Sequence, residues 1–235
     1  MDNIKTLWII PARGGSKGIP GKNIRDFCGM PLIVYSINHA KECAASDDII
    51  FVSTDSEKIK DIVEKTGLKI PFMRPDELAT DHSSTYDVIM HALDEFGKRG
   101  KTFDRVVLLQ PTSPLRETED VKNALSAWSP DVDMVVSVTP AKANPYYNAF
   151  ETDSDGFLHI SKGDGTITRR QDAPEVWEYN GAVYVMTVDA LKRGPISSFK
   201  KIIPSPMPQE RSVDLDSPLD WIIAETIFKN KRTEN

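Results

Sequence analysis

The chain has 235 residues, of which 40% are hydrophobic, 27% charged and 8% aromatic; these values exclude disordered, collagen-like and membrane-spanning classes and allow one sizeable core. Lys and Arg total 29 against 35 Asp and Glu, and the net charge of -6 argues against general binding to nucleic acid. Cys28 and Cys43 show neither CxxC nor partner-histidine spacing, so neither a zinc site nor a disulfide framework is indicated and a reducing cytoplasm fits. The opening MDNIKTLWIIPARGG holds only a short apolar run before Pro11, too short for a secretory signal, and nowhere are there the roughly 18 apolar residues of a spanning helix. No membrane contact is expected.

Leu7–Ile10 reads as a strand and Pro31–Ala44 as a helix. Ile49–Thr54 is a second β-rich run, followed by a helix in which Ile59, Ile62 and Val63 keep i, i+3, i+4 spacing until Gly67 supplies a stop. Val88, Ile89, Ala92, Leu93 and Phe96 stripe a third helix, and Val106–Leu109 forms a strand bounded by Pro111. Val121, Ala124, Leu125 and Trp128 stripe the next helix, before a strand at Met134–Val138. This alternation predicts an α/β fold with a parallel sheet covered on both faces.

From Pro140 to Pro174 the rhythm breaks, and the DSDG and KGDG turns predict β-hairpins. Ala182–Met186 resumes a strand. Pro218–Lys229 closes the chain as a helix, with Ser217 as N-cap, Pro218 at N1 and Asp220 at N3. The whole of 1–235 reads as one domain, with 140–174 inserted as a β excursion.

The richest segment is IIPARGGSKGIPGKNI, Ile9–Ile24, where a strand runs into a loop of four glycines with Arg13, Lys17, Lys22 and Asn23. Glycines admit close backbone N–H groups and cations supply charge, which suits a triphosphate at the carboxyl end of a strand. Neither GxxxxGK[ST] nor GxGxxG fits: Ser16 stands where the first glycine of the former belongs and Asn23 where its Ser or Thr belongs. The bland alternative is a basic surface turn.

This segment resembles the N-terminal signature of the acylneuraminate cytidylyltransferases, the CMP-sialic acid synthetases. RPDELATDHSST (Arg74–Thr85), QPTSPLR (Gln110–Arg116), RRQDAP (Arg169–Pro174), NGAVY (Asn180–Tyr184) and SVDLD (Ser212–Asp216) match in the same order. The resemblance implies a three-layer, Rossmann-like nucleotidyltransferase fold with a mainly parallel sheet. It also implies that the 140–174 excursion forms a homodimer and lies against the neighbouring subunit's active site. Tyr146 and Tyr147 stand where a basic residue can occur in the family; exposed tyrosines there suit an isologous interface, and the alternative is a small local core.

By the resemblance, Arg13, Ser16, Lys17 and Lys22 hold the triphosphate of CTP and Asn23 its ribose, where fixed cations can act on the transition state. Arg74 and the Asp81–Thr85 stretch, with Ser83, Ser84 and Thr85, match the nucleoside-binding segment; the serines equally suit capping of the following helix. Gln110 ends a strand where ligands meet an open α/β sheet, so it is a candidate sugar contact, although its two-proline loop, Arg116 included, also reads as a rigid connector. Arg170, matching RRQ, is the candidate grip on a sugar carboxylate, and Asn180 on the sugar; Arg169 and Arg170 also read as solvated turn charges.

Asp214 and Asp216, two apart, point to one side of an extended backbone and suit a shared hard cation, Mg2+; the alternative is that they favour the N-terminus of the closing helix. In the resembling family this DxD ligates the metal. The implied reaction is attack of the anomeric hydroxyl of a nonulosonic acid, N-acylneuraminate in the first instance, on the α-phosphorus of CTP, giving the CMP-sugar and pyrophosphate. No covalent intermediate and no side-chain base are assigned. Legionaminate, pseudaminate or deaminated neuraminate are alternative acids, octulosonate or sugar-1-phosphate synthetases are rivals of the same architecture, and a non-catalytic nucleotide sensor is the rival from another class.

Overall fold

A computed structural model of the chain describes residues 4–15 and 18–233. The elements are β1 (Thr6–Pro11), β2 (Asp26–Phe27), β3 (Met30–Pro31), α1 (Leu32–Cys43), β4 (Ile49–Ser53), α2 (Glu57–Lys65), α3 (Thr85–Lys98), β5 (Arg105–Leu109), α4 (Thr118–Ala127), β6 (Met134–Pro140), β7 (Phe150–Thr152), β8 (Leu158–Ile160), β9 (Trp177–Thr187), α5 (Val188–Arg193), β10 (Ile202–Pro206) and α6 (Pro218–Thr233). The strands and helices that the periodicity places are present, and β2, β3, α5 and β10 are additional to them. α2 ends at Lys65, and Gly67, with φ of +88°, closes it by donating its N–H to Glu64 O.

Six strands form one sheet in the order β10-β6-β9-β5-β1-β4. β1 pairs parallel with β4 and β5, and β6 with β10, whereas β9 runs antiparallel between β5 and β6. The sheet is therefore mainly parallel, as the resemblance implies, with β9 running against its neighbours; a continuous apolar run such as Ala182–Met186 carries no mark of its direction. Leu7, Trp8, Ile9 and Ile10 are each wholly buried, so residues pointing to both faces of β1 are covered. Among the described residues no helix is long and apolar enough to cross a membrane.

β10 is an edge strand paired only with β6, and its exposed Pro204 and Pro206 cost no inner ladder bond there. Within the excursion β7 and β8 form the expected hairpin across the DSDG turn. Its exposed apolar residues are Phe150, Phe157 and Leu158; Tyr146 and Tyr147 are half-buried, so the tyrosines are not its exposed face.

A second, smaller core lies apart from the main one and joins Ile19 after the glycine loop, Phe27, Leu32 and Tyr35, Leu115 of the proline loop, Leu215 of the DLD segment, and Trp221 of α6. Phe27 stacks edge-on against both Tyr35 and Trp221. These distant stretches of sequence are fixed to one another by this cluster.

Candidate active site

The carboxyl ends of β1 and β5 border a cleft of 230 Å³ lined by Arg13, Arg74, Thr80, Asp81, Ser83, Thr85 and Gln110. Arg74 is nearly buried, and donates from Nε to Ser53 Oγ at 3.0 Å and from Nη2 to Ser53 O at 2.6 Å. Burial lowers its pKa to about 10, with Arg13 acting in the same direction and Asp55 opposing. Ser84 caps α3, accepting from Asp87 N, while Ser83 Oγ donates to Glu77 O. The serines thus shape the segment, and Ser83 and Thr85 also face the cleft.

The glycine loop is fastened at both ends. Asn23 is buried and its amide donates to Arg13 O at 3.1 Å, tying the end of the loop to its beginning. Lys22 Nζ donates to Leu215 O at 2.5 Å and lies 3.5 Å from Asp216 Oδ1. A Cβ on Gly18 would sit 2.3 Å from Asp216 O, so the backbones approach as only a glycine allows. Ser16 and Lys17 lie outside the described residues.

Asp214 and Asp216 border a second cleft, of 610 Å³, with Lys142, Glu178 and Asp220 among its other lining residues. Their backbone is not extended: Asp216 N–H donates to Asp214 O at 3.1 Å, closing a tight turn about Leu215. Leu215 is held on three sides, by the second core, by its N–H on Thr112 O and by Lys22 on its carbonyl. Burial raises the Asp214 pKa, helped by Asp216 and Asp220, while the Thr112 hydroxyl and Lys22 act against it.

The start of α6 is capped by Ser217 and Asp220 in reciprocal bonds, which relieves Asp214 and Asp216 of that task. Asp214 Oδ1 is buried without a hydrogen-bond partner. Two carboxylates, one with an unused buried oxygen, suit Mg2+, which takes one or two carboxylates and completes its shell with phosphate and water. No group of three or more His, Cys, Asp or Glu side chains that could hold a metal occurs among the described residues.

Other candidates face differently. Asn180 points inward: Oδ1 accepts from Ser137 Oγ at 2.6 Å and Ala182 N, and Nδ2 donates to Ser212 Oγ at 2.9 Å. It stabilises a bulge of β9 against β6, at which Gly181, φ +75°, lies beside Asp214. Arg116 is only 1% exposed and donates to Gln110 O, Ala182 O and Ser36 Oγ, so it braces the proline loop. Arg170 is exposed and donates to Lys142 O at 3.4 Å, next to the second cleft; Arg169 pairs with Asp172. A cleft of 640 Å³ around Asp133, Arg193 and Lys201 opens at the opposite end of the sheet and contains none of these residues.

Asp55 and Thr112 join the site without having been singled out by sequence, whereas Asp81 belongs to the stretch that the sequence assigns to the nucleoside. Position at the carboxyl end of a strand was the signal available for Asp55, which follows β4.

A family model described as cytidylyltransferase matches residues 7–186, from β1 to the end of β9. The chain belongs to that family. The cytidylyltransferase is 32% identical over 229 residues to a CMP-N,N'-diacetyllegionaminic acid synthase of Legionella pneumophila, covering 96% of this chain and 97% of that one. It is 36% identical over 222 residues to an N-acylneuraminate cytidylyltransferase of Streptococcus agalactiae, covering 93% of this chain and 52% of the relative. A solved CMP:2-keto-3-deoxy-manno-octonic acid synthetase complexed with CTP superposes with a TM-score of 0.69 at 18% identity, covering 97% of this chain and 99% of that one. The fold is therefore that of a nucleotidyltransferase, and the protein is an enzyme of that type.

Proposed function

We propose that this cytidylyltransferase activates a nonulosonic acid, joining CMP from CTP to the anomeric oxygen and releasing pyrophosphate. The observation that carries the reading is the convergence of the glycine loop, through Lys22 and Gly18, on the Asp214–Asp216 turn. A cation-bearing anion loop and a carboxylate pair are thereby held together, as transfer at an α-phosphate requires.

In this reading Arg13 and Lys22, with Ser16 and Lys17, bind the triphosphate, and Asn23 keeps the loop closed and its ribose side in place. Arg74, Ser83, Ser84 and Thr85 form the nucleoside side. Gln110 and Arg170 meet the acid sugar, Arg170 gripping its carboxylate. Asn180 acts from beneath, holding the bulge beside Asp214. Asp214 and Asp216 would hold Mg2+, which would supply neutralisation of phosphate charge and acidify the attacking hydroxyl. The hydroxyl of the sugar attacks the α-phosphorus in line with the leaving pyrophosphate, and positioning replaces any side-chain base.

N-acylneuraminate is the acid to try first. A legionaminate-type acid is the second reading, favoured by the relative that matches over nearly its full length. The protein works in the cytoplasm as a homodimer, with exposed Phe150, Phe157 and Leu158 of the hairpin at the interface. Calorimetric titration with CTP, ATP and GTP tests the nucleotide half: CTP binds best, and Lys22→Met weakens it about tenfold through a lost charge-assisted contact. Equal binding of the three nucleotides, or a Lys22→Met protein that binds CTP unchanged, contradicts it.

A further inference from the structure

The first two anion-binding groups of the glycine loop are already engaged by carboxylates of the same chain. Arg13 Nη2 lies 2.7 Å from Asp81 Oδ1, with the side chains 32% and 37% exposed. Gly14 N–H donates to Asp55 Oδ1 at 2.8 Å. Asp81 is not needed to start α3, which Ser84 and Asp87 cap three residues on. Arg74 lies near enough to Arg13 for the two charges to repel, and Asp55 and Asp81 supply the opposite charge beside them.

A phosphate group arriving at Arg13 carries the same sign of charge as Asp81 and seeks the same donors. The carboxylate must give way before the phosphate can form a two-bond contact with the guanidinium. We infer that Asp81 is a specificity-determining residue that competes with the phosphates of substrate and product for Arg13. It limits how tightly the leaving pyrophosphate is retained and returns to Arg13 as the product departs. A nucleoside triphosphate has further contacts through its base and ribose and tolerates the competition, whereas pyrophosphate has phosphate contacts alone. This inference rests on the reading of Arg13 as a phosphate ligand.

The test is calorimetric titration of the full chain with pyrophosphate and, separately, with CTP, for the natural protein, Asp81→Asn, Asp81→Ser and Glu77→Gln. Glu77 is an exposed carboxylate of the same segment and controls for a general change of charge. Releasing a half-exposed ion pair should tighten pyrophosphate binding by about two- to fivefold in both Asp81 variants. Glu77→Gln should leave it unchanged. At about 1 M salt, where the screening length is about 3 Å, the gain should vanish. No gain in either Asp81 variant, or an equal gain in Glu77→Gln, overturns the competition. CTP binding by the natural protein without that gain sinks only this inference, whereas no CTP binding by any protein removes the nucleotide reading beneath it.

Discussion

Replacing Gly18 by alanine places a methyl carbon 2.3 Å from the carbonyl oxygen of Asp216. That oxygen belongs to a backbone pinned at Leu215 by the second core, by Thr112 O and by Lys22, so it cannot swing aside as a flexible side chain would. Real Cβ atoms essentially never approach within 3.0 Å and ordinary contact starts at 3.4 Å, so the loop and the DLD turn must part by roughly 0.7–1.1 Å, and overpacking of this kind costs about 1–3 kcal/mol. A displacement of about 1 Å between catalytic groups costs on the order of a hundredfold in rate. Steady-state kinetics of Gly18→Ala should thus show kcat/KM for CTP reduced about a hundredfold, with thermal melting lowered by only a few degrees. A variant within threefold of the natural rate would refute the claim that loop and aspartates are held in register by backbone contact.

Asp214→Ala and Asp216→Ala should each abolish measurable turnover while melting cooperatively; retained activity in the double variant rejects the metal-binding assignment. Because the Asn180 amide is bonded inside the protein, Asn180→Ala should cost about 2–3 kcal/mol by leaving buried partners unsatisfied, read as a fall in chemical-denaturation stability; unchanged stability would contradict its role in the bulge. Burial, and then Arg116, lower the His39 pKa to about 3. The folded state therefore binds fewer protons than the unfolded one between that value and the ordinary 6.5, and stability falls as pH drops through this window. At pH 5 the loss from this group is at most about 2 kcal/mol, and His39→Gln should flatten the decline between pH 7 and 5; an unaltered slope would show that other groups carry it.

Most of the scaffold was legible because it is locally written. β1, α1, β4, α2, α3, β5, α4 and β6 each announce themselves by period or by an apolar run, and the Ser217–Asp220 cap of α6 by residue type. β10 escaped notice because Pro204 and Pro206 disguise an edge strand, and the antiparallel course of β9 because a run of buried residues has no direction. In the site, the residue types of the glycine loop and DLD segment could be read. The contacts that arrange them could not: Lys22 to Leu215, Gly14 to Asp55 and Arg13 to Asp81 join residues far apart in sequence. The turn about Leu215 likewise replaces the extended backbone that two-residue spacing suggests, and Asn180 faces the interior because Ser137 and Ser212 supply partners that local pattern does not reveal.

The most direct measurement is incubation of the purified protein with CTP, Mg2+ and, in turn, N-acetylneuraminate, a legionaminate and a pseudaminate, following pyrophosphate release and CMP-sugar by mass spectrometry. The account predicts stoichiometric pyrophosphate and CMP-sugar with at least one acid, dependent on Mg2+ and on Asp214. Tight CTP binding with no CMP-sugar from any nonulosonic acid would contradict it.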